Sequence, residues 1–123
     1  LHHVPLSNTT FDIFSNLKKN SLDSPYCFPS PTNNSKSIGT ESMLRAIRRV
    51  GVTAEQFVIH GNRHTGATMI ANYLPQHSDR VVDAQLHHEI GGVSGIYNRA
   101  DYLEQRKLLM EDWSNYLDNL LTE

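Results

Sequence analysis

The last twenty-one residues have one regular way to fold. Leu103, Met110, Trp113, Leu117 and Leu120 recur at steps of seven, three, four and three, with Leu109 and Tyr116 widening the same side. That is the period of an amphipathic helix, predicted to start between Ser94 and Asp101 and to run to about Leu121. A stripe this wide must be covered, by its own domain or by a neighbouring protomer. Upstream, the breakers are equally restrictive. Pro25, Pro29 and Pro31 sit in a stretch rich in Asn, Ser and Pro. Proline lacks the amide hydrogen a helix needs, so residues 20–39 are expected to form a loop, with Tyr26-Cys27-Phe28 buried against the core.

Four further helices are expected. Ser7 caps the first, which carries Phe11, Phe14 and Leu17, with Lys18 and Lys19 at the negative end of its dipole. Thr40 caps the second, with Met43, Leu44, Ile47 and Val50 on one face, Arg45, Arg48 and Arg49 on the other, and an end near Gly51. The third runs from about His60 to Leu74, carries Met69, Ile70, Tyr73 and Leu74, and stops before Pro75. Ser78 caps a short fourth with Val81, Val82 and Leu86, and Gly91, Gly92 and Gly95 mark a flexible break after it. Residues 1–6 read as a short extended piece, with Pro5 placing it at a sheet edge or strand end. The expected fold class is mainly α with a short N-terminal strand.

A chain of 123 residues suits one domain. With 38% hydrophobic and 20% charged residues, its composition is that of a folded chain with a modest core, not a disordered one. No apolar run reaches the roughly 20 residues of a membrane span, and the start lacks the pattern of a signal peptide. The first residue is Leu1 and a lone strand lacks a partner, so upstream sequence is expected. Cys27 is the one cysteine; it has no internal partner for a disulfide and reads as a small apolar residue.

The net charge of −2 hides an asymmetry. Residues 1–99 hold nine Lys/Arg and seven acids, whereas residues 100–123 hold two against six. The acidity therefore sits in the last segment, and the near-neutral body neither requires nor forbids DNA.

Seven histidines are many for this length. His2 and His3 are expected at an exposed strand end and His77 at the surface. The densest polar group is His60-Gly61-Asn62-Arg63-His64, followed by His87-His88, Tyr97 and Arg99. On a helix, His60 shares a face with Arg63 and with His64. Three readings stay open on residue types alone. A zinc site from His60, His64 and His87 or His88 is disfavoured: Gly61 stands where a metalloprotease needs Glu, and Arg63 would lie beside the cation. The second is a histidine-rich surface without chemistry. The third is phosphoryl transfer, with Arg63 as a fork of donors to phosphate oxygens and His60 and His88 as hydrogen-bond donors or proton carriers. Tyr97 would then be the nucleophile. A free phenol is only about 0.1% ionised at pH 7, so it needs a base or a cationic pocket.

The order of these residues resembles a known family. His60-x-x-Arg63, Leu86-His87-His88 and Tyr97, nine residues after His88, are similar to the C-terminal half of a tyrosine recombinase (phage-type integrase) catalytic domain. His3-Val4-Pro5-Leu6-Ser7, Tyr26-Cys27-Phe28-Pro29-Ser30, His60-Gly61-Asn62-Arg63 and Tyr97-Asn98-Arg99-Ala100-Asp101-Tyr102-Leu103 occur in the order of prophage and genomic-island integrases, as does the pattern Arg106, Trp113, Tyr116-Leu117. The resemblance covers essentially the whole chain.

It implies roles position by position. Arg63 would be the second catalytic arginine, His60 the proton acceptor or phosphate ligand, and His88 a hydrogen-bond donor to the phosphate. Tyr97 would attack, giving a 3′-phosphotyrosine; Tyr102 is a poorly spaced rival. His87 stands where the family often has a small residue. Arg45, Arg48, Arg49 and His64 are the candidate DNA contacts, which would position without specifying sequence. The family's first catalytic arginine and its lysine have no counterpart in residues 1–123, which would thus form a partial catalytic domain, the upstream DNA-binding domains also absent. One missing charge donor typically costs about 10²–10³ in rate, so this piece alone is expected to be nearly inactive. The resemblance implies no metal or nucleotide cofactor. Its partners would be double-stranded DNA attachment sites and a homotetramer exchanging C-terminal helices, in the bacterial cytoplasm and on the nucleoid when acting, with no membrane role. A non-catalytic DNA-binding or assembly module of the same fold is the alternative.

Overall fold

A computed structural model describes residues 2–21, 23–88 and 102–122. The fold is mainly α: α1 (Asn8–Asn20), β1 (Pro29–Ser30), β2 (Asn33–Ser37), α2 (Thr40–Arg49), α3 (Gly61–Tyr73), α4 (Asp79–Gln85) and α5 (Leu103–Leu120). The glycine break, Tyr97, Arg99 and the expected start of the last helix lie outside the described residues. The chain forms two compact units, one of residues 1–9 with 63–123 and one of residues 10–62.

In the unit of residues 10–62, strand and helix ends are set by local bonds. β1 and β2 form an antiparallel hairpin pairing Pro29 with Ser37 and Ser30 with Asn33. The strand content thus lies here, and residues 2–6 form no strand. β2 reads Asn-Asn-Ser-Lys-Ser and is exposed throughout, so it lacks the alternation that marks a strand in sequence. Ser24, buried, anchors the preceding turn: its hydroxyl donates to the Asn34 carbonyl at 2.7 Å and accepts the Tyr26 amide at 3.1 Å. Tyr26 and Phe28 are exposed and Cys27 half-buried, contrary to the expected burial. No described hydrophobic residue of this unit is fully buried, so it has no dry core to receive them. Phe28 instead meets Phe14 edge-on at 6.4 Å.

α2 begins one residue earlier than expected, with Gly39 and not Thr40 at the N-cap. It ends in Gly51 at φ +90°, whose amide returns to the Arg48 carbonyl at 3.1 Å, a left-handed C-terminal turn that glycine adopts without a Cβ clash. Thr53 and Gln56 then cap one another, Thr53 N to Gln56 Oε1 at 2.8 Å and Gln56 N to Thr53 Oγ1 at 3.3 Å. A side chain at Gly61 would place its Cβ 2.9 Å from Val58 Cγ2, so any larger residue at the entry to α3 must displace the Val58 side chain.

The hydrophobic core lies in the other unit. Ile70 of α3, Val81 and Val82 of α4 and Leu109 of α5 are buried, with Ala67, Leu74, Leu86, Tyr102 and Trp113 packed around them. The buried face of α5 is therefore Arg106, Leu109 and Trp113. The expected stripe is only partly covered, since Leu117 and Leu120 remain exposed. Tyr102 at the α5 N-cap is left-handed, φ +51°. His77 is not a surface residue: its side chain is largely buried and its Nε2 meets Asp112 Oδ2 at 2.8 Å. Tyr73 and Trp113 each stack on Tyr116.

The N-terminal residues join this unit through α5. Asn8 donates its amide and its Nδ2 to the two oxygens of Glu111 at 3.1 and 2.9 Å. Arg106, only 1% exposed, bonds the His3 carbonyl through Nη2, Gln85 Oε1 through Nε at 2.9 Å and His2 Nε2 at 3.3 Å. Burial first, and then the Arg106 charge, hold the His2 imidazole below its ordinary pKa. The neutral ring is thus favoured in the fold, and unfolding between that lowered value and about pH 6.5 takes up protons. His2 contributes stability that is full above about pH 6.5 and is lost as the pH falls. His2→Gln, which keeps an acceptor for Arg106, is expected to flatten the denaturation midpoint across that window. An unchanged pH slope would refute the linkage.

Candidate active site

The site residue that is best fixed is His88, and the end of α4 fixes it. His87 N returns to the Ala84 carbonyl at 3.2 Å and His88 N to the Asp83 carbonyl at 2.9 Å. With His87 left-handed, φ +53°, this is a Schellman turn. A histidine at this left-handed position costs roughly 1–2 kcal/mol relative to an unstrained one. Its ring lies 4.5 Å from that of His2.

The turn brings residue 88 back over residue 83. His88 Nδ1 meets Asp83 Oδ1 at 2.9 Å, and Arg63 Nε donates to His88 Nε2 at 3.2 Å. A carboxylate only accepts and a guanidinium only donates, so the imidazole carries its hydrogen on Nδ1 and its lone pair on Nε2. Arg63, on the first turn of α3, is half-buried; His88 and Asp83 stay accessible to solvent. Arg63 uses Nε for His88, which leaves its four Nη hydrogens without a partner among the described residues. Those hydrogens are the part of the fork that suits two oxygens of one anion.

The other candidate residues are placed separately. His60 is exposed and directly precedes α3, and His64 is exposed on its first turn. Arg45, Arg48 and Arg49 lie on α2 in the unit of residues 10–62. Arg45 Nε donates to the Glu41 carbonyl at 3.4 Å, and Arg49 is exposed. Arg48 is tied down, donating to the carbonyls of Val52, Thr53 and Phe57 at 2.9, 2.6 and 2.9 Å. Two features of this geometry are not evident from the sequence. Asp83 had a signal, its five-residue offset from His88, legible only once a turn is assumed. Arg106 belongs to the pattern that carries the resemblance, but nothing in the sequence marks its burial, because charge normally marks an exposed helix face.

The chain is similar along nearly its whole length to integrases. It is 31% identical to the prophage integrase IntZ of Escherichia coli (strain K12), over 98% of this chain and 29% of that protein. It is 30% identical to the integrase of Shigella phage Sf6, over 96% of this chain and 30% of that protein. It is 31% identical to the integrase of Enterobacteria phage P4, over 95% and 27%. The chain thus matches a segment of phage and prophage integrases. It spans less than a third of the length of these relatives. No family model and no solved structure matches the chain. Among the described residues, no helix is long and apolar enough to cross a membrane.

Proposed function

We propose that this chain is the C-terminal part of a tyrosine recombinase catalytic domain, which integrates or excises a mobile element by cutting and rejoining DNA. The observation that carries the reading is the Arg63–His88 pair, two residues 25 apart in sequence and bonded through their side chains. In this reading Arg63 clamps two non-bridging oxygens of the scissile phosphate, where negative charge gathers during transfer. The Tyr97 oxygen attacks phosphorus, and the bond from phosphorus to the 5′ oxygen breaks. The phenol proton passes to a base, for which His60 is the candidate. The departing oxygen takes up a proton as the free 5′-hydroxyl. Reversal of these steps reseals a strand without ATP, because the phosphotyrosine bond conserves the energy.

His88 Nε2 accepts from Arg63 here, so the ring donates to phosphate only when that nitrogen also carries a proton. Arg45, Arg49 and His64 are the proposed DNA contacts; Arg48 reaches DNA only if it releases the three carbonyls that it holds. The partners proposed are attachment-site DNA and a homotetramer that exchanges C-terminal helices. The exposed Leu117 and Leu120 on α5 are compatible with that exchange.

The test uses a full-length protein carrying this chain, incubated with nicked junction DNA and then denatured and digested. Mass spectrometry is expected to find the nucleotide on the peptide that contains Tyr97. A nucleotide on Tyr102 would move the nucleophile. DNA binding without any adduct would favour the non-catalytic module.

A further inference from the structure

We infer that Asp83 is a positioning residue for Arg63, acting through His88; the inference rests on the recombinase reading above. Nothing in the phosphate chemistry requires a carboxylate at this place, and a bare carboxylate near a phosphate is repulsive. Its position therefore needs another reason. The geometry supplies one. Asp83 Oδ1 takes the Nδ1 hydrogen of His88 at 2.9 Å, and this decides the tautomer. With Nδ1 protonated, Nε2 is left as the acceptor that Arg63 Nε meets at 3.2 Å. The other tautomer would set an N–H against the Arg63 N–H and a lone pair against the carboxylate. One carboxylate thus fixes the orientation of a ring, and the ring anchors one edge of a guanidinium.

The backbone reinforces the same pair. His88 N is bonded to the Asp83 carbonyl at 2.9 Å, so residues 83 and 88 are joined through main chain and side chain at once. That closure spares the ring much of the freedom it would otherwise lose when Arg63 engages. Arg63 then presents its Nη hydrogens from a held plane, which a bidentate phosphate contact demands.

Two measurements decide the inference. The first is long-range ¹H–¹⁵N NMR of the histidine rings in this chain. His88 is expected as the Nδ1–H tautomer. Asp83→Ala, a substitution favourable to helix α4, is expected to convert most of it to the Nε2–H form usual in water. An Nε2–H ring in the wild type, or no change in Asp83→Ala, would overturn the inference. The second is the rate of adduct formation on nicked junction DNA at saturating DNA, in a full-length protein. Asp83→Ala is expected to slow it by about tenfold, the low end for partners behind a first contact layer, because the pair is solvent-accessible. In a His88→Ala background the same change is expected to cost nothing further. An equal cost in both backgrounds would show that Asp83 acts by another route. A wild type that forms no adduct refutes the recombinase reading, while the ring measurement still decides what Asp83 does to His88.

Discussion

Arg63→Ala is expected to lower the rate of covalent adduct formation by about 10²–10³-fold, the usual effect of removing one preorganised donor from a charged transition state. Arg63 is the residue that combines a fixed edge, Nε on His88 at 3.2 Å, with four hydrogens left for oxygens. Alanine removes all of them, and its high helix propensity keeps α3 intact. Arg63→Lys restores the charge without the fork and is expected to remain at least about tenfold slow. The comparison is made by single-turnover trapping at saturating DNA, so that weaker binding does not pass for slower chemistry. Alanine within a factor of about three of wild type would remove Arg63 from the phosphate clamp.

The largest expected effect on stability belongs to Arg106. Its side chain is buried, and it bonds the His3 carbonyl, Gln85 and His2. Hydrogen bonds from a charged donor contribute roughly 1.5–3 kcal/mol each. Arg106→Ala also opens a cavity where the side-chain stem packed, so a loss of at least about 3 kcal/mol is expected. Arg106→Lys keeps the charge but cannot reach three acceptors in three directions, and should recover only part of it. Trp113, the one tryptophan, packs on the same core, so its fluorescence during urea denaturation reads this unit. A loss below about 1 kcal/mol would mean that the bonds seen here are replaced by water at little cost.

Much of the architecture was legible because it rests on period and punctuation. α2, α3 and α4 lie within a residue or two of where Thr40, Pro75 and Ser78 place them. The hairpin was not legible. β2 is polar and exposed, so its pairing comes from the turn and from the hydroxyl of Ser24, not from a buried face. α5 was recognisable as a helix, and Leu109 and Trp113 of its expected stripe do meet the core, but Arg106 was not legible there: it behaves as a core residue once His3, Gln85 and His2 surround its guanidinium. At the site, Arg63 and His88 were readable through order and spacing, whereas Asp83 was not, because only the turn at His87 folds position 88 back over it. That turn also gives a physical reason for the small residue that the resemblance leads one to expect at 87. A left-handed backbone favours a missing Cβ, and His87 accepts the strain with its ring beside His2.

The division of the chain has a consequence for its synthesis. The unit of residues 10–62 is one continuous stretch, whereas the other is assembled from residues 1–9 and 63–123. Its ties from Asn8 to Glu111, Thr9 to Asp118 and Arg106 to His2 link positions more than a hundred residues apart. Closing loops of that length must precede any reward from the contacts themselves. On the ribosome, those ties can form only once α5 has left the tunnel. The unit that carries Arg63 and His88 must therefore wait for α5, so a nascent or prematurely ended product lacks the contacts that hold its first residues in place.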